Sequence, residues 1–287
     1  MYKVALVSIC LNPAYWPYLG PMVESAKKFL LKGHQVDFFV WSDIDENSQQ
    51  ITQSWQAMGV NPGSLGSLPE MINSTYRIKD TINIIPQESA QWPLPTLMRY
   101  HLFLREEERL KDYDFILYVD VDMLFVSPVG IEILGDLVGA QHPMYAVKRG
   151  LIPPYEPDLK SQAFIPRPGR VIIKNGKKMF EPLYFAGGFQ GGRSDKFIKA
   201  MKKMKEMIDK DFSNDRIPIW NDETIWNAYL FKNPPTTVLS PSYVYPDSLI
   251  KSYYIPVWGK NYLPKIITLT KPFTTSKAAG IALQTKI

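Results

Sequence analysis

Two short runs of apolar and β-branched residues, KVALVSI from Lys3 to Ile9 and QVDFFVW from Gln35 to Trp41, bracket a stretch with helical spacing from Pro21 to Lys32. That stretch opens on proline, which suits a first helical turn because its missing N–H has no partner there, and it closes on Gly33. Strand, helix and strand in this order join through a right-handed crossover, so the two strands lie parallel in one sheet. The chain is thereby committed to an α/β fold with a mainly parallel, Rossmann-like sheet flanked by helices. The link CLNPAYWPYLG between the first strand and Pro21 has no GxGxxG. The usual dinucleotide-binding device is excluded, while Tyr15, Trp16 and Tyr18 offer faces on which a base or a sugar can stack.

A length of 287 residues with 45% hydrophobic content suits one large α/β domain. No repeat or domain linker interrupts it, so residues 1–287 are expected to form a single domain, with 272–287 a flexible C-terminal tail. The net charge of +5 is spread along the chain, and nucleic acid is not an expected partner. The densest basic stretch, Lys199 to Lys210, alternates lysine with Met and Ile at helical spacing, as the solvated face of an amphipathic helix does. Cys10 is the one cysteine, so an intrachain disulfide is impossible; a buried thiol in a reducing compartment is expected. No window of 18 apolar residues occurs and the chain begins on a strand, so neither a transmembrane anchor nor a signal peptide is expected. A cytoplasmic location follows, at most peripheral at the inner membrane surface, and the Asn73-Ser74-Thr75 sequon is then unused.

Residues 42 to 93 are polar and irregular around an expected strand at Thr81–Ile85, after which Thr96 is placed to cap a helix, LMRYHLFLREEERL. Within it Arg99 has Met98, Leu102 and Phe103 around it. Such a guanidinium either finds an anionic partner or reaches out to water. The segment FILYVDVDMLFV, Phe115 to Val126, is nearly all apolar except for Asp120 and Asp122. If the strand continues, both side chains point the same way, and two like charges there need a cation or water. Two carboxylates at the C-terminal end of a parallel strand lie where open α/β sheets bind ligands, and oxygen-only donors suit Mg²⁺ or Mn²⁺; turn or capping carboxylates are the equal alternative. Further on come a short expected strand, MYAVK, and a proline-rich loop from Pro153 to Pro168. YFAGGFQGG, Tyr184 to Gly192, reads as a glycine-rich corner ahead of a helix from Asp195, suited to close ligand approach or to tight packing. In WNDETIWNAYLF, Asn221 is expected to be the N-cap of a helix, with Asp222 and Glu223 in its first turn.

Taken in order, DVDMLF, His142-Pro143, SQAFIP, YFAGGFQGG, WNDETIWNAYL and LSPSY resemble the motifs of glycosyltransferase family 6, over a span from about Val4 to Lys271. The resemblance implies a GT-A fold and a retaining, metal-dependent enzyme. Such an enzyme transfers GalNAc or Gal from a UDP-sugar to the 3-hydroxyl of a galactose-type sugar on an oligosaccharide, glycolipid or lipopolysaccharide. It further implies that Asp120 and Asp122 bind Mn²⁺ or Mg²⁺, that Tyr15 lies beside the uracil, and that Arg99 pairs with Asp120. Ala186, Gly187, Gly188 and Asp222 then contact the donor sugar, and Lys271 closes over the diphosphate. His142 and Trp220 serve the acceptor, and Glu223 is the catalytic carboxylate. The helix macrodipole agrees with an ionised Glu223, which suits a nucleophile or a stabiliser of positive charge, although dipole complementation alone also accounts for acids in a first turn.

The pattern departs from the blood-group relatives at Asn221, where they have His, at Pro154, where a Thr is expected, and at SPSYVYPD, so acceptor identity is the open point. Small residues at positions 186 to 188 imply room for the 2-acetamido group of UDP-GalNAc, and enlarging Gly188 is expected to favour UDP-Gal. A UDP-glucose transferase and a catalytically silent sugar-nucleotide-binding protein are the rival readings.

Overall fold

The computed structural model describes residues 1–44, 82–147, 153–166, 170–174, 177–181, 183–251 and 262–270. The sequon, Lys271 and the segment 272–287 lie outside the described residues. The strands in chain order are β1 (Lys3–Cys10), β2 (Gln35–Ser42), β3 (Ile82–Pro86), β4 (Phe115–Val119), β5 (Met123–Phe125) and β6 (Leu137–Gln141). They continue with β7 (Arg170–Lys174), β8 (Lys177–Glu181), β9 (Phe185–Arg193), β10 (Thr237–Leu239), β11 (Tyr245–Pro246) and β12 (Ile266–Thr268). Seven of them form one sheet in the order β10-β6-β9-β4-β1-β2-β3. Strand β1 runs parallel to β2 and β4, β2 to β3, and β6 to β10, whereas β9 is antiparallel to both of its neighbours. The fold is therefore the expected α/β architecture with a mainly parallel sheet.

Alternation along β1 divides the core. Val4 and Leu6 pack with Met22, Val23 and Ala26 of helix α1 (Trp16–Phe29), while Ala5 and Val7 face the opposite side. There the cover comes from α3 (Arg99–Leu104), α6 (Ser194–Phe212) and α7 (Asn221–Lys232), with Tyr100, Phe103, Met201, Met204 and Trp226 buried against the strands. Burial of each large side chain contributes roughly 1.5 to 3 kcal/mol, so this second layer holds α7, and the acids at its start, firmly against the sheet. The lysines of α6 point outward and its methionines inward, as the spacing predicts, and Cys10 is buried.

Several local expectations are corrected. Helix α1 begins at Trp16 with Pro17 in its first turn and contains Pro21, so half of the link thought to be loop is helical. The helix expected from Thr96 is broken into α2 (Leu94–Leu97), α3 and α4 (Glu107–Leu110); Thr96 lies inside α2 and its hydroxyl donates to the Pro93 carbonyl at 2.8 Å. MYAVK is not a strand. Residues Pro143–Val147 form helix α5, because proline suits a first turn and the His142 carbonyl accepts from both Tyr145 and Ala146, while the strand of this region is β6, just before it. YFAGGFQGG is no corner but most of β9. Strand alternation is hidden there because glycine allows tight pairing: a Cβ on Gly192 would lie 2.2 Å from the Asp136 carbonyl oxygen. The strand near residue 82 is shifted by one residue from its expected bounds.

Candidate active site

Strand β4 ends at Val119, and the chain turns at once, the Asp120 carbonyl accepting from Met123 N at 3.1 Å. The acidic pair thus stands on a turn, not on a continued strand. Both aspartates nevertheless line one cleft of about 120 Å³, together with Tyr15, Trp92, Thr96 and Arg99. Asp122 is buried, whereas the Asp120 side chain is 31% exposed. Tyr15 is brought there by a turn in which Asn12, at φ 82°, accepts from Tyr15 N through its carbonyl and from Ala14 N through its side chain. Asp43 closes that turn by accepting from Asn12 N and from the Trp16 indole.

Arg99 is 3% exposed and does not reach water. Its guanidinium lies 3.7 Å from Asp120 and 3.0 Å from Asp222, donates to the carbonyls of Gly187 and Thr96, and stacks 4.2 Å from the centre of the Tyr118 ring. The expected pairing with Asp120 is present, but Asp222 is the nearer partner. Burial opposes the charge on Arg99, and Asp222, Tyr118 and Asp120 together overcome that opposition, holding its pKa above the ordinary value. Tyr118 stays a donor to Asp120, since burial keeps its phenol well above its ordinary value. Asp222 is pushed up to about 7, first by burial, with Asp120 and Glu223 adding to the effect and Arg99 resisting it.

Helix α7 begins at Asn221, at φ 51°, with Trp220 in the cap position, so the expected N-cap is shifted by one residue. Asp222 and Glu223 do occupy the first turn. Glu223 accepts from Gly187 N at 2.7 Å, which ties the helix start to β9 beside the donor cleft. Asn227, one turn on, locks the same junction: it accepts from Phe185 N and donates to the carbonyls of Phe185 and Glu223, each at 2.8 Å. Both glycines are tightly neighboured here. A Cβ on Gly187 would lie 3.0 Å from Glu223 Cβ, and one on Gly188 would lie 2.9 Å from Asp120 Oδ2. Gly188 therefore packs closely against the acidic turn. Ala186 is buried in the core on the α1 side.

On the other flank of Glu223, His142 packs against Tyr145 and Tyr184 at ring distances of 4.9 and 5.9 Å, and its N–H donates to the Tyr184 carbonyl. Burial, and then the charge of Glu223, hold the phenols of Tyr145 and Tyr184 above their ordinary values. Trp220 stands 38% exposed before α7. Lys271 lies outside the described residues; before it, Leu269 N donates to the Asp122 carbonyl at 2.9 Å. Among the described residues no three His, Cys, Asp or Glu side chains converge on a metal position. Two oxygen-donor residues on one cleft wall fit a hard divalent ion whose remaining ligands are phosphate oxygens and water. Sequence reasoning missed Tyr118, Tyr184, Gln190 and Asn227; a glutamine within a strand of glycine and aromatic residues was the one visible signal.

A mainly parallel sheet, an acidic turn at the end of its central strand and a cleft with an aromatic wall define a protein of the GT-A type. Residues 71–257 match the profile of Glycosyltransferase family 6, and the chain belongs to that family. It is 29% identical over 238 residues to histo-blood group ABO system transferase 1 of Rattus norvegicus, covering 82% of this chain and 59% of that protein. Identity is 27% over 236 residues to globoside alpha-1,3-N-acetylgalactosaminyltransferase 1 of Homo sapiens, covering 81% and 58%. It is 25% over 192 residues to O-antigen biosynthesis glycosyltransferase WbnI of Escherichia coli, covering 66% and 73%. The chain spans less than two thirds of the length of the two mammalian relatives. No helix among the described residues is long and apolar enough to cross a membrane.

Proposed function

We propose that this glycosyltransferase moves GalNAc or Gal from a UDP-sugar to the 3-hydroxyl of a galactose-type acceptor, with retention at the anomeric carbon. The observation that carries the proposal is the convergence of Asp120, Arg99, Gly187, Asp222 and Glu223, from four separate segments, on one wall of the molecule within hydrogen-bond or ion-pair reach of one another. The names of the relatives support it: one is an α-1,3-N-acetylgalactosaminyltransferase and one serves O-antigen biosynthesis, so a glycolipid, oligosaccharide or lipopolysaccharide is the proposed acceptor class.

In this reading Tyr15 stacks on the uracil, and Asp120 and Asp122 hold Mn²⁺ or Mg²⁺, which offsets the charge of the departing diphosphate when bound. Lys271 adds a further positive charge to the diphosphate. Asp222, oriented by Arg99, accepts from donor-sugar hydroxyls. As the bond from the anomeric carbon to the diphosphate oxygen breaks, its electron pair leaves with UDP. Glu223, held by the Gly187 N–H, faces the positive charge that develops on the sugar. The acceptor oxygen then bonds to the anomeric carbon and its proton passes to the leaving phosphate. His142 and Trp220 position the acceptor. The test is UDP release and product linkage with UDP-GalNAc, UDP-Gal and UDP-Glc against a panel of galactose-terminated glycans. An α-1,3-linked product from either of the first two donors is expected, and transfer from UDP-Glc alone, or none from any donor, would overturn the proposal.

A further inference from the structure

Gly187 occupies the point at which the donor wall and Glu223 meet, and glycine has the least intrinsic restraint on φ and ψ of any residue. A larger residue would crowd the helix start, since a Cβ would lie 3.2 Å from Asp222 Oδ2 as well as 3.0 Å from Glu223 Cβ and the acids would have to give way by a few tenths of an ångström. The neighbouring ladder does not restrain it either: β4 ends at Val119, and the last bond across is Asp120 N to the Gly188 carbonyl. Its backbone groups are instead taken by side chains. The N–H donates to Glu223 Oε2 at 2.7 Å, and the carbonyl accepts from Arg99 at 3.0 Å and from Gln190 Nε2 at 3.1 Å.

Gln190 is wholly buried, and its other end accepts from the Tyr100 hydroxyl at 2.9 Å. Tyr100 is buried too, and burial followed by the charge of Asp222 keeps its phenol protonated and donating. A buried primary amide among aromatic and aliphatic neighbours is costly unless both of its ends are satisfied, as they are here. Arg99 alone would satisfy the Gly187 carbonyl, so a second donor is not needed to bury it. What the second donor adds is direction, since a carbonyl held from two sides cannot rotate with its peptide plane.

We propose that Gln190 is a positioning residue for sugar transfer: braced by Tyr100, it fixes the backbone of Gly187 and so the presentation of the Glu223 carboxylate. The proposal rests on the reading of Glu223 as the group that faces the anomeric carbon. Gln190 touches neither substrate nor cofactor and acts through Gly187.

The variant Gln190→Met keeps length and volume and removes both hydrogen bonds. Expected is a fall in kcat of at least about tenfold, with the KM for the UDP-sugar and the Kd for UDP within about threefold of wild type, because only an interaction realised in the transition state is lost. Tyr100→Phe removes the brace alone and should lower kcat in the same way by a smaller factor, about threefold, and it decides the matter if Gln190→Met does not fold. A kcat within twofold of wild type in a folded Gln190→Met, or a loss in either variant that falls equally on UDP affinity and melting temperature, would overturn the positioning role. Wild-type enzyme that transfers no sugar from any UDP-sugar would overturn the reading of Glu223 and this inference with it, an outcome separate from the failure of the variants.

Discussion

At the scale of single residues, the site is governed by how closely its parts approach. Gly188→Ala places a methyl carbon against Asp120 Oδ2, where only 2.9 Å is available. The expected outcome is loss of activity with both UDP-GalNAc and UDP-Gal, read from kcat/KM for each donor; a clean exchange of donor preference at full rate would show that the acidic turn can shift. Glu223→Gln keeps an oxygen able to accept from Gly187 N but removes the negative charge, so kcat should fall by at least about a hundredfold while UDP affinity is retained. Asp222 gives the pH dependence. Its pKa rises from an ordinary 3.8 to about 7, so the folded protein binds that proton more tightly than the unfolded chain does. Its contribution thus favours the fold in acid and is lost as pH rises from about 4 to about 7, and the ionised form that pairs with Arg99 is populated above that range. The kcat/KM of wild-type enzyme should rise through pH 7, and Asp222→Asn should remove that limb from the profile. The acids and Arg99 were legible in the sequence, because charges in apolar runs demand an explanation. The division of Arg99 between Asp120 and Asp222 was not, since the three residues are far apart in the chain and nothing local encodes the distances.

At the scale of elements, one junction carries the chemistry: β9 against the first turns of α7. Asn227 makes two hydrogen bonds across it, both to the backbone of Phe185, and a third to the Glu223 carbonyl one turn back in its own helix, so side-chain bonds substitute for a neighbouring strand. Asn227→Leu leaves the Phe185 N–H and carbonyl buried without that partner and should destabilise the protein by about 3 kcal/mol, seen as a lower denaturation midpoint, with a parallel loss of activity as the helix start moves. An unchanged midpoint would show that another group takes over. The sequence identified α6 from its lysine and methionine periodicity and β1, β2 and β4 from their apolar runs. It misread β9 and α5. Glycine removes the alternation by which a strand is recognised, and Tyr145 and Val147 in α5 have extended-chain propensities that the capping of His142 overrides.

At the scale of the whole molecule, the sheet delivers the C-terminal end of β4 to a cleft, and β12 returns the chain to the same place: it pairs antiparallel with β5, and Leu269 bonds to the Asp122 carbonyl. If the acidic pair holds a divalent ion, exhaustive chelation should abolish transfer, Mn²⁺ should restore it, and Asp122→Asn should weaken UDP binding in the presence of metal. Full activity after chelation would assign the aspartates to the turn alone. The class of fold was set by the sequence itself, because apolar periodicity and the handedness of a strand–helix–strand crossover are local properties. The residues that carry chemistry were likewise marked locally, as polar groups in apolar surroundings. Their partnerships were decided only by the tertiary structure. Arg99, Gly187 and Glu223 meet because α3, β9 and α7 pack around one core, and the network of Tyr100 and Gln190 behind them exists because folding removes water and leaves each buried polar group to find its partner across the chain.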